Sequence, residues 1–337
     1  MHDAMASSSL EYERITFVLR PRRGPRRVIL DAVSGRAAAA QTTALMGPSG
    51  SGKTTLIHAL AGTLRSRVPA ELSGAVRVDG EPAGARRRCA VVGQEDALFP
   101  LFTVRETLTL CAALTRRGED PDRVAEATLR RLGLAKVAET RVGDPSEPLL
   151  RGVSGGERRR LSIGCELIAS RGGVVLLDEP TSSLDAYQAL SVARSLSGLA
   201  RESRVAVLLS VHQPRAEICL LLDELQLLSR GRVVYSGPFA AAEPWFAALG
   251  HAVPPRFNAM DFLLDVLAVD DGGEGSRARR RLPTSLGGAA ARRSRGAARR
   301  RRRSGPRGRA RAGSSRCAGS RIARSSASRG RPSSSSP

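Results

Sequence analysis

The eight residues from Gly47 to Thr54, GPSGSGKT, constrain the fold of this chain more than any other part of its sequence. They fit the pattern G-x4-G-K-S/T, in which glycines let the backbone wrap around phosphate groups so that successive N–H groups point at the oxygens. An apolar run, TALM, precedes the loop, and a helical pattern from Thr54 to Leu64 follows it. The sequence therefore predicts a strand, a phosphate-binding loop and a helix whose positive N-terminal end faces an anion.

The ligand expected in this loop is ATP with Mg²⁺. We expect the ammonium of Lys53 to neutralise the β- and γ-phosphates and the hydroxyl of Thr54 to bind Mg²⁺. The residues expected to contact ATP in this segment are Gly47, Pro48, Ser49, Gly50, Ser51, Gly52, Lys53, Thr54 and Thr55.

Two carboxylates follow Val174–Leu177, an apolar run with the composition of a buried strand. The carboxyl ends of such strands are where α/β sheets bind ligands. We expect Asp178 to hold Mg²⁺, directly or through water, and Glu179 to accept a proton from the attacking water. Alone, the pair could equally cap a strand before Pro180, but its occurrence together with the phosphate loop favours ATP hydrolysis.

The remaining pattern predicts an α/β domain. Short alternating strands are expected within residues 10–35, a helical stretch from Thr103 to Val142 and a second helix from Glu157 to Ala169. Val205–Val211 is another apolar run, and such runs without alternation are typical of parallel strands covered on both faces. Strands that alternate with helices indicate an α/β fold.

Val153–Glu157, VSGGE, lies between the phosphate loop and the carboxylate pair. It resembles the signature of ABC-type ATPases, usually written L-S-G-G-Q. A serine and two glycines at a helix start again form an anion-binding end. The resemblance implies that this loop caps the γ-phosphate of ATP held by a partner domain, so that two domains enclose two ATP molecules head to tail. The residues so implied are Ser154, Gly155, Gly156 and Glu157.

Three further residues follow the order of the family's motifs. Gln94, in VVGQEDALFP, resembles the glutamine that contacts Mg²⁺ and senses the membrane domain of a transporter. Asp185, in SSLDA, matches the loop that crosses the dimer interface. His212, in SVHQPRAEI, matches the histidine that contacts the γ-phosphate. A lone histidine at a strand end is more often structural, and the motif order is what favours a functional role for this one.

Finer features resemble the G (White-type) subfamily of ABC transporters over about residues 10–267, among them TVRETL, VSGGERRRLSIGCELI and FNAMDFLLDV. The resemblance implies a P-loop NTPase fold of the ABC type, with a parallel-sheet RecA-like core, an antiparallel β subdomain and an α-helical signature subdomain at about residues 100–170. It implies an ATP hydrolase whose dimerisation on ATP powers transport of lipid-like or other hydrophobic substrates. The implied partners are a second ABC ATPase domain and the membrane-domain helices of a transporter.

Two aromatic residues compete for the family's role of stacking on adenine. Phe17 is the better candidate and Tyr12 the second. Each is more often a core residue than a base platform, so adenine selectivity is implied by the family and not by a particular side chain.

The basic charge is concentrated at the end of the chain. The last acidic residue is Glu274, and 20 of the 54 basic residues follow it, so the remaining 34 nearly balance the 32 acidic residues. The formal charge of +22 is therefore poor evidence that the folded part binds nucleic acid. Residues 270–337 are rich in Arg, Ser, Gly and Ala, and we expect them to be disordered, because they cannot bury enough apolar surface to fold. The ATP-binding domain is expected at residues 1–269.

This tail stands where G-subfamily chains place a linker and the first of six membrane helices, so the chain is expected to lack its membrane domain. The explanations left open are a truncated or frame-shifted reading, a separate ATPase subunit, and a polybasic arm for anionic lipid or RNA. No run reaches the 18 or so apolar residues of a membrane span. We expect a location at the cytosolic face of a membrane.

Two other functions stay open. A non-transport ABC ATPase could hold nucleic acid with the tail, although such proteins usually carry two ATPase domains or a long coiled coil. A lone domain could bind ATP and dimerise too weakly to hydrolyse it. The substrate is not readable, because membrane helices select it, and the choice between homodimer and heterodimer is equally open.

Overall fold

The computed structural model describes residues 8–82, 89–147, 149–170 and 173–268. The predicted disorder of residues 270–337 lies outside the described residues. The strands are β1 (Leu10–Leu19), β2 (Arg27–Ala37), β3 (Thr42–Met46), β4 (Ala70–Val78), β5 (Glu81–Pro82), β6 (Cys89–Val92), β7 (Val174–Leu177), β8 (Ala206–Ser210), β9 (Glu224–Ser229) and β10 (Arg232–Pro238). The helices are α1 (Lys53–Leu60), α2 (Val104–Thr115), α3 (Pro121–Arg131), α4 (Gly155–Ser170), α5 (Ala186–Ser203), α6 (Ala216–Cys219), α7 (Ala242–Ala248) and α8 (Ala259–Leu267), with 3-10 turns at Ala135–Val137 and Phe239–Ala241.

A six-stranded sheet in the order β10-β9-β3-β8-β7-β6 forms the centre of the fold. Strands β9, β3, β8, β7 and β6 run parallel to one another, and β10 pairs antiparallel with β9. Because the carboxyl ends of parallel strands meet at one edge of a sheet, the turns after β3, β8, β7 and β6 lie along the same edge. This arrangement collects segments that are far apart in the sequence.

The apolar run in β7 is buried on both faces of the sheet. Val174 and Leu176 pack in a cluster with α1, β1 and β2, whereas Val175 and Leu177 pack in a second cluster with the helices α2 to α5. Neighbouring residues therefore serve different cores, which explains why the sequence of this strand shows no polar alternation. The predicted buried parallel strands are present.

The second sheet has four antiparallel strands in the order β2-β1-β4-β5. Tyr12 of β1 is 1% exposed, and its hydroxyl donates a hydrogen bond to the side-chain carbonyl of Gln226 on β9. The amide nitrogen of Gln226 in turn donates to the carbonyl of Ser34 on β2 at 3.0 Å. This buried pair links the antiparallel sheet to the parallel one.

The same pair corrects one expectation for the nucleotide base. Tyr12 cannot present a ring face to adenine, because the ring is enclosed in the core. Phe17 is also buried, in a cluster with Leu30 and Leu56, and it borders a cavity of about 860 Å³. The phosphate loop is not among the residues that line this cavity, so the adenine-stacking role of Phe17 stays a prediction.

The helices α2, α3 and α4 lie between β6 and β7 in the sequence and pack against one another. The helical stretch predicted from Thr103 to Val142 is divided in two, because Gly118 has a φ of +84° in the turn that separates α2 from α3. Thr103 and Glu106 form a reciprocal capping box at the start of α2. On α4, Gly164 lets the helices approach closely, since a Cβ there would lie 3.0 Å from Leu132.

The first helix is shorter than its sequence pattern suggested. It was expected from Thr54 to Leu64 and extends from Lys53 to Leu60. Gly62, with a φ of +65°, lies just past its end, where the left-handed conformation favours glycine.

None of the helices within the part of the chain that the structure describes is long and apolar enough to span a membrane.

We predict that Tyr12→Phe lowers the free energy of unfolding by about 1–3 kcal/mol, because it leaves a buried Gln226 carbonyl without its donor. Chemical denaturation measures this difference. The control is Tyr187→Phe, whose side chain is 81% exposed, and which is expected to change stability by less than about 0.5 kcal/mol. Equal stabilities of the two variants would contradict a structural role for the buried hydroxyl.

Candidate nucleotide-binding site

The loop from Gly47 to Gly52 connects the end of β3 to the start of α1 and has a backbone that requires glycine. Gly47 has a φ of +153°, and a Cβ there would lie 2.1 Å from the carbonyl oxygen of Leu228. Gly52 has a φ of +104°, and a Cβ there would lie 2.9 Å from the side chain of Leu30. At both positions the loop lies closer to a neighbouring strand than a side chain would allow.

The N-terminal end of α1 has no side-chain cap. Gly52 occupies the capping position and cannot supply an acceptor. The first N–H groups of a helix have no partner within the helix, so they are donors that an anion can accept. Ser51, next to this end, is 3% exposed, and its hydroxyl has no hydrogen-bond partner.

Lys53 is 7% exposed and is held by its own loop. Its ammonium donates to the carbonyl of Gly47 at 2.8 Å and to that of Pro48 at 3.2 Å. Burial lowers the pKa of Lys53, and the carboxylates of Glu179 and Asp178 act in the opposite direction. Lys53 follows β3 and the two carboxylates follow β7, so all three groups lie at the same edge of the parallel sheet.

The carboxylates after β7 are organised by a serine at the end of β8. The hydroxyl of Ser210 donates to Oδ1 of Asp178 at 2.6 Å and accepts the backbone N–H of Glu179 at 2.8 Å. Asp178 is 2% exposed and Ser210 is fully buried. Glu179 has a φ of +47°, a left-handed conformation that is uncommon for a residue with a side chain. The turn is held in this conformation by a hydrogen bond from the neighbouring strand.

Gln94 and His212 follow β6 and β8, at the same edge of the sheet. His212 and Glu179 line one cavity of about 210 Å³, together with Ser182, Leu184 and other residues of this edge. The side chains of Gln94 and His212 are exposed. The structure therefore brings the loop, the two carboxylates, the glutamine and the histidine to one edge.

Ser154 and Gly155 are exposed at the start of α4. The backbone N–H and the hydroxyl of Ser154 both donate to one carboxylate oxygen of Glu157, each at 2.8 Å. Gly156 donates its N–H to the side-chain carbonyl of Gln188 at 2.9 Å. None of the side-chain hydrogen bonds in the described residues connects 154–157 with 47–54.

Asp185 caps the helix that follows the carboxylate turn. Its Oδ1 accepts the backbone N–H of Gln188 at 2.8 Å. The side chain of Gln188 contacts Gly156, which belongs to the tip of α4, defined here as residues 154–157. The Asp185 turn and this tip are therefore connected through one residue. Gln188 thus holds the Asp185 turn and the tip of α4 next to each other.

The residues at the sheet edge fit a bound Mg-nucleotide. The unpartnered hydroxyl of Ser51, the uncapped start of α1 and the buried ammonium of Lys53 are donors suited to phosphate oxygens. The hydroxyl of Thr54 and the carboxylate of Asp178 are oxygen ligands of the kind that Mg²⁺ prefers.

Comparison with known proteins decides the family. Residues 30–182 match the family model described as "ABC transporter", and residues 212–283 match the one described as "ABC-2 type transporter". The chain carries an ABC transporter nucleotide-binding domain. Domains of this family are ATP hydrolases.

The nucleotide-binding domain has homologues in the G family of ABC transporters. It is 43% identical to ABC transporter G family member 7 of Arabidopsis thaliana over 251 residues, which cover 72% of this chain and 34% of that protein. It is 40% identical to ABC transporter G family member 22 of Dictyostelium discoideum over 267 residues, or 76% of this chain and 42% of that protein. The chain thus matches less than half the length of these relatives.

A solved structure confirms the predicted fold of the nucleotide-binding domain. The structure is titled as a dimeric post-hydrolysis state of the ATP-binding cassette MJ0796 bound to ADP and Pi. The TM-score is 0.54 at 22% identity, and the match covers 68% of this chain and 98% of the other. The P-loop ATPase fold of the ABC type, with its parallel and antiparallel sheets, is therefore present.

The match to the ABC-2 type model begins within the nucleotide-binding domain. Its first residues, from His212 to Ala268, form β9, β10 and α6 to α8, and residues 269–283 lie outside the described residues. The expectation that the chain lacks a membrane domain stays a prediction.

Ser210 is a residue of the nucleotide-binding domain that the sequence analysis missed. It lies in VAVLLSV, an otherwise apolar run, two residues before His212. A small polar residue in a strand that is buried on both faces needs a partner. That signal was available in the sequence, but nothing in it indicated that the partner is Asp178.

We predict that Ser210→Ala slows ATP hydrolysis by the nucleotide-binding domain about ten- to hundredfold, because Asp178 loses a donor and the Glu179 turn loses an acceptor. The steady-state kcat is the measurement. The control is Ser195→Ala, since the hydroxyl of Ser195 donates only to the carbonyl of Ser191 on its own helix. A kcat for Ser210→Ala as high as that of the control would show that the bridge does not organise the carboxylates.

Proposed function

We propose that this domain binds ATP with Mg²⁺ and hydrolyses it at an interface with a second ABC ATPase domain, and that hydrolysis drives a membrane transporter. The observation that carries the proposal is the single sheet edge that holds the phosphate loop with the buried ammonium of Lys53 after β3 and the Asp178–Glu179 turn, fixed by Ser210, after β7. We place the domain at residues 1–269, with the α-helical signature subdomain at about residues 100–170.

The phosphate loop binds the nucleotide. Its backbone donors, the start of α1 and the ammonium of Lys53 surround the β- and γ-phosphates, whose negative charge takes the place of the loop carbonyls that Lys53 now contacts. The contacting residues are those from Gly47 to Thr55. The Thr54 hydroxyl, the Gln94 side chain and Asp178 would hold Mg²⁺, which neutralises charge on the phosphate oxygens when bound.

Glu179 is the general base of the proposed reaction. Its carboxylate accepts a proton from the water that attacks the γ-phosphate. His212 lines the same cavity and is assigned to the γ-phosphate, while the Ser210 hydrogen bond holds the Glu179 backbone in place. Gln94, in the turn after β6, is the third residue assigned to the reaction. Together these residues orient water and phosphate, which is where phosphoryl transfer obtains most of its acceleration.

The tip of α4 completes the site of a second copy. Ser154 and Gly155 are exposed, as a contact made across an interface requires, and Gly156 and Glu157 follow them in the first turn of α4. The Asp185 turn, joined to this tip through Gln188, belongs to the same interface. The ABC cassette with the same fold is described as a dimer bound to ADP and Pi, which supports this assembly.

Transport is proposed from the relatives, which are named as G family transporters. The substrates implied by that family are lipid-like or hydrophobic compounds. Phe99, Leu101 and Phe102 are exposed just after Gln94, with the two phenylalanine rings 5.4 Å apart. Such an apolar surface next to Gln94 suits the membrane-domain helices of a transporter. We place the domain at the cytosolic face of a membrane.

We predict that Glu179→Gln reduces kcat by about 100- to 10,000-fold and leaves MgATP affinity within about threefold, because the amide accepts no proton and keeps the shape of the side chain. Glu202→Gln on the exposed face of α5 is the control for the same chemical change. Phosphate release and nucleotide binding are measured on both variants. Hydrolysis by Glu179→Gln at the rate of the control would mean that another group activates the water.

A further inference from the structure

Arg159, on α4 two residues after the exposed tip, is a buried charge that the proposed reaction does not use. Its side chain is 5% exposed, and its guanidinium forms an ion pair with Asp96 at 2.8 Å between Nη1 and Oδ1. Burying the charge of an arginine costs free energy, so its partners must offset that cost with opposite charge and hydrogen bonds. Those partners identify what the residue positions.

The guanidinium contacts two turns of the proposed nucleotide site besides Asp96. Nη1 lies 3.5 Å from the backbone carbonyl of Gln94, and Nη2 lies 3.3 Å from the backbone carbonyl of Asp178. One planar group thus joins α4 to the turn after β6 and to the end of β7. The fork of arginine is needed for this, because a lysine has a single nitrogen and cannot reach both turns in a fixed plane.

Arg160, the next residue on α4, shows that burial here does not by itself require contact with the site. It is 9% exposed, and its Nη1 donates to the hydroxyl of Ser191 on α5 at 2.8 Å. The two arginines share a helix and a degree of burial and differ in their partners. Only Arg159 contacts backbone atoms of residues assigned to the metal side of the site.

We propose that Arg159 is a positioning residue that fixes the Gln94 turn and the Asp178 strand end relative to the helix that begins with the signature tip. A displacement of the tip by a partner domain therefore reaches the two turns through one rigid group. This inference rests on the proposed function for its consequence in ATP hydrolysis. The positioning itself is a property of the nucleotide-free protein.

The first test is hydrogen exchange of the nucleotide-free protein by mass spectrometry. Arg159→Gln, and Arg159→Lys should the first variant fold poorly, are expected to raise amide exchange about tenfold in both residues 93–98 and residues 178–182. Asp96→Asn is expected to raise it in residues 93–98 only, because Nη2 keeps its contact with Asp178. Arg160→Lys is the matched control and is expected to leave both segments unchanged.

The second test compares affinities for ATP with and without Mg²⁺. Arg159→Lys is expected to weaken MgATP binding about tenfold and metal-free ATP binding by less than about threefold, because its contacts lie beside the carboxylates and not in the phosphate loop. Arg160→Lys is expected to keep both affinities. A general loss of stability would weaken both forms of binding equally.

The two hypotheses fail in different ways. If the wild-type protein did not bind or hydrolyse MgATP, the proposed function would be wrong, and the exchange test of Arg159 would still stand. If the wild-type protein hydrolysed MgATP while Arg159→Lys and Arg160→Lys matched each other in exchange and in both affinities, the positioning role would be overturned.

Discussion

The parallel order of β3, β8, β7 and β6 is the constraint on which the nucleotide-binding domain depends. Parallel pairing aligns the carboxyl ends of these strands, so the turns that follow them must meet at one edge. Each of these turns holds one part of the site: the phosphate loop after β3, the carboxylate pair after β7, Gln94 after β6 and His212 after β8. Their convergence is thus a consequence of strand direction, and the apolar cores on both faces of the sheet keep that direction fixed.

Buried charge at this edge is balanced by specific partners. Lys53 is desolvated yet has two carboxylates nearby, and Asp178 has the hydroxyl of Ser210 as a donor. Arg159 contributes a second buried cation behind the carboxylates, paired with Asp96. A site with fixed donors and acceptors needs little rearrangement when a charged ligand binds, which is the property that electrostatic catalysis requires. The start of α4 is different, because the exposed Ser154 directs its hydroxyl to Glu157 of its own helix.

Local patterns predicted much of this from sequence. The phosphate loop and the carboxylate pair depend on short spacing and on the apolar run before each of them, so both could be located. The ABC-type fold was implied by the resemblance of VSGGE, which lies between them, to the ABC signature. The long-range partners could not be predicted. Tyr12 and Gln226 are 214 positions apart, and the sequence gives no sign that the tyrosine belongs to the core and not to a base platform. In Arg158-Arg159-Arg160, the pattern does not show which arginine faces the site.

The central claim is that one nucleotide is held between the phosphate loop of one copy and the signature tip of another. Mixing two inactive variants tests it directly: Lys53→Ala removes the loop cation and Ser154→Arg blocks the tip. A mixed dimer retains one intact loop opposite one intact tip, so an equal mixture should regain about a quarter of the wild-type ATPase rate, since half of the dimers are mixed and each has one complete site. A mixture of folded, dimer-forming variants that stays as inactive as its components would contradict the claim.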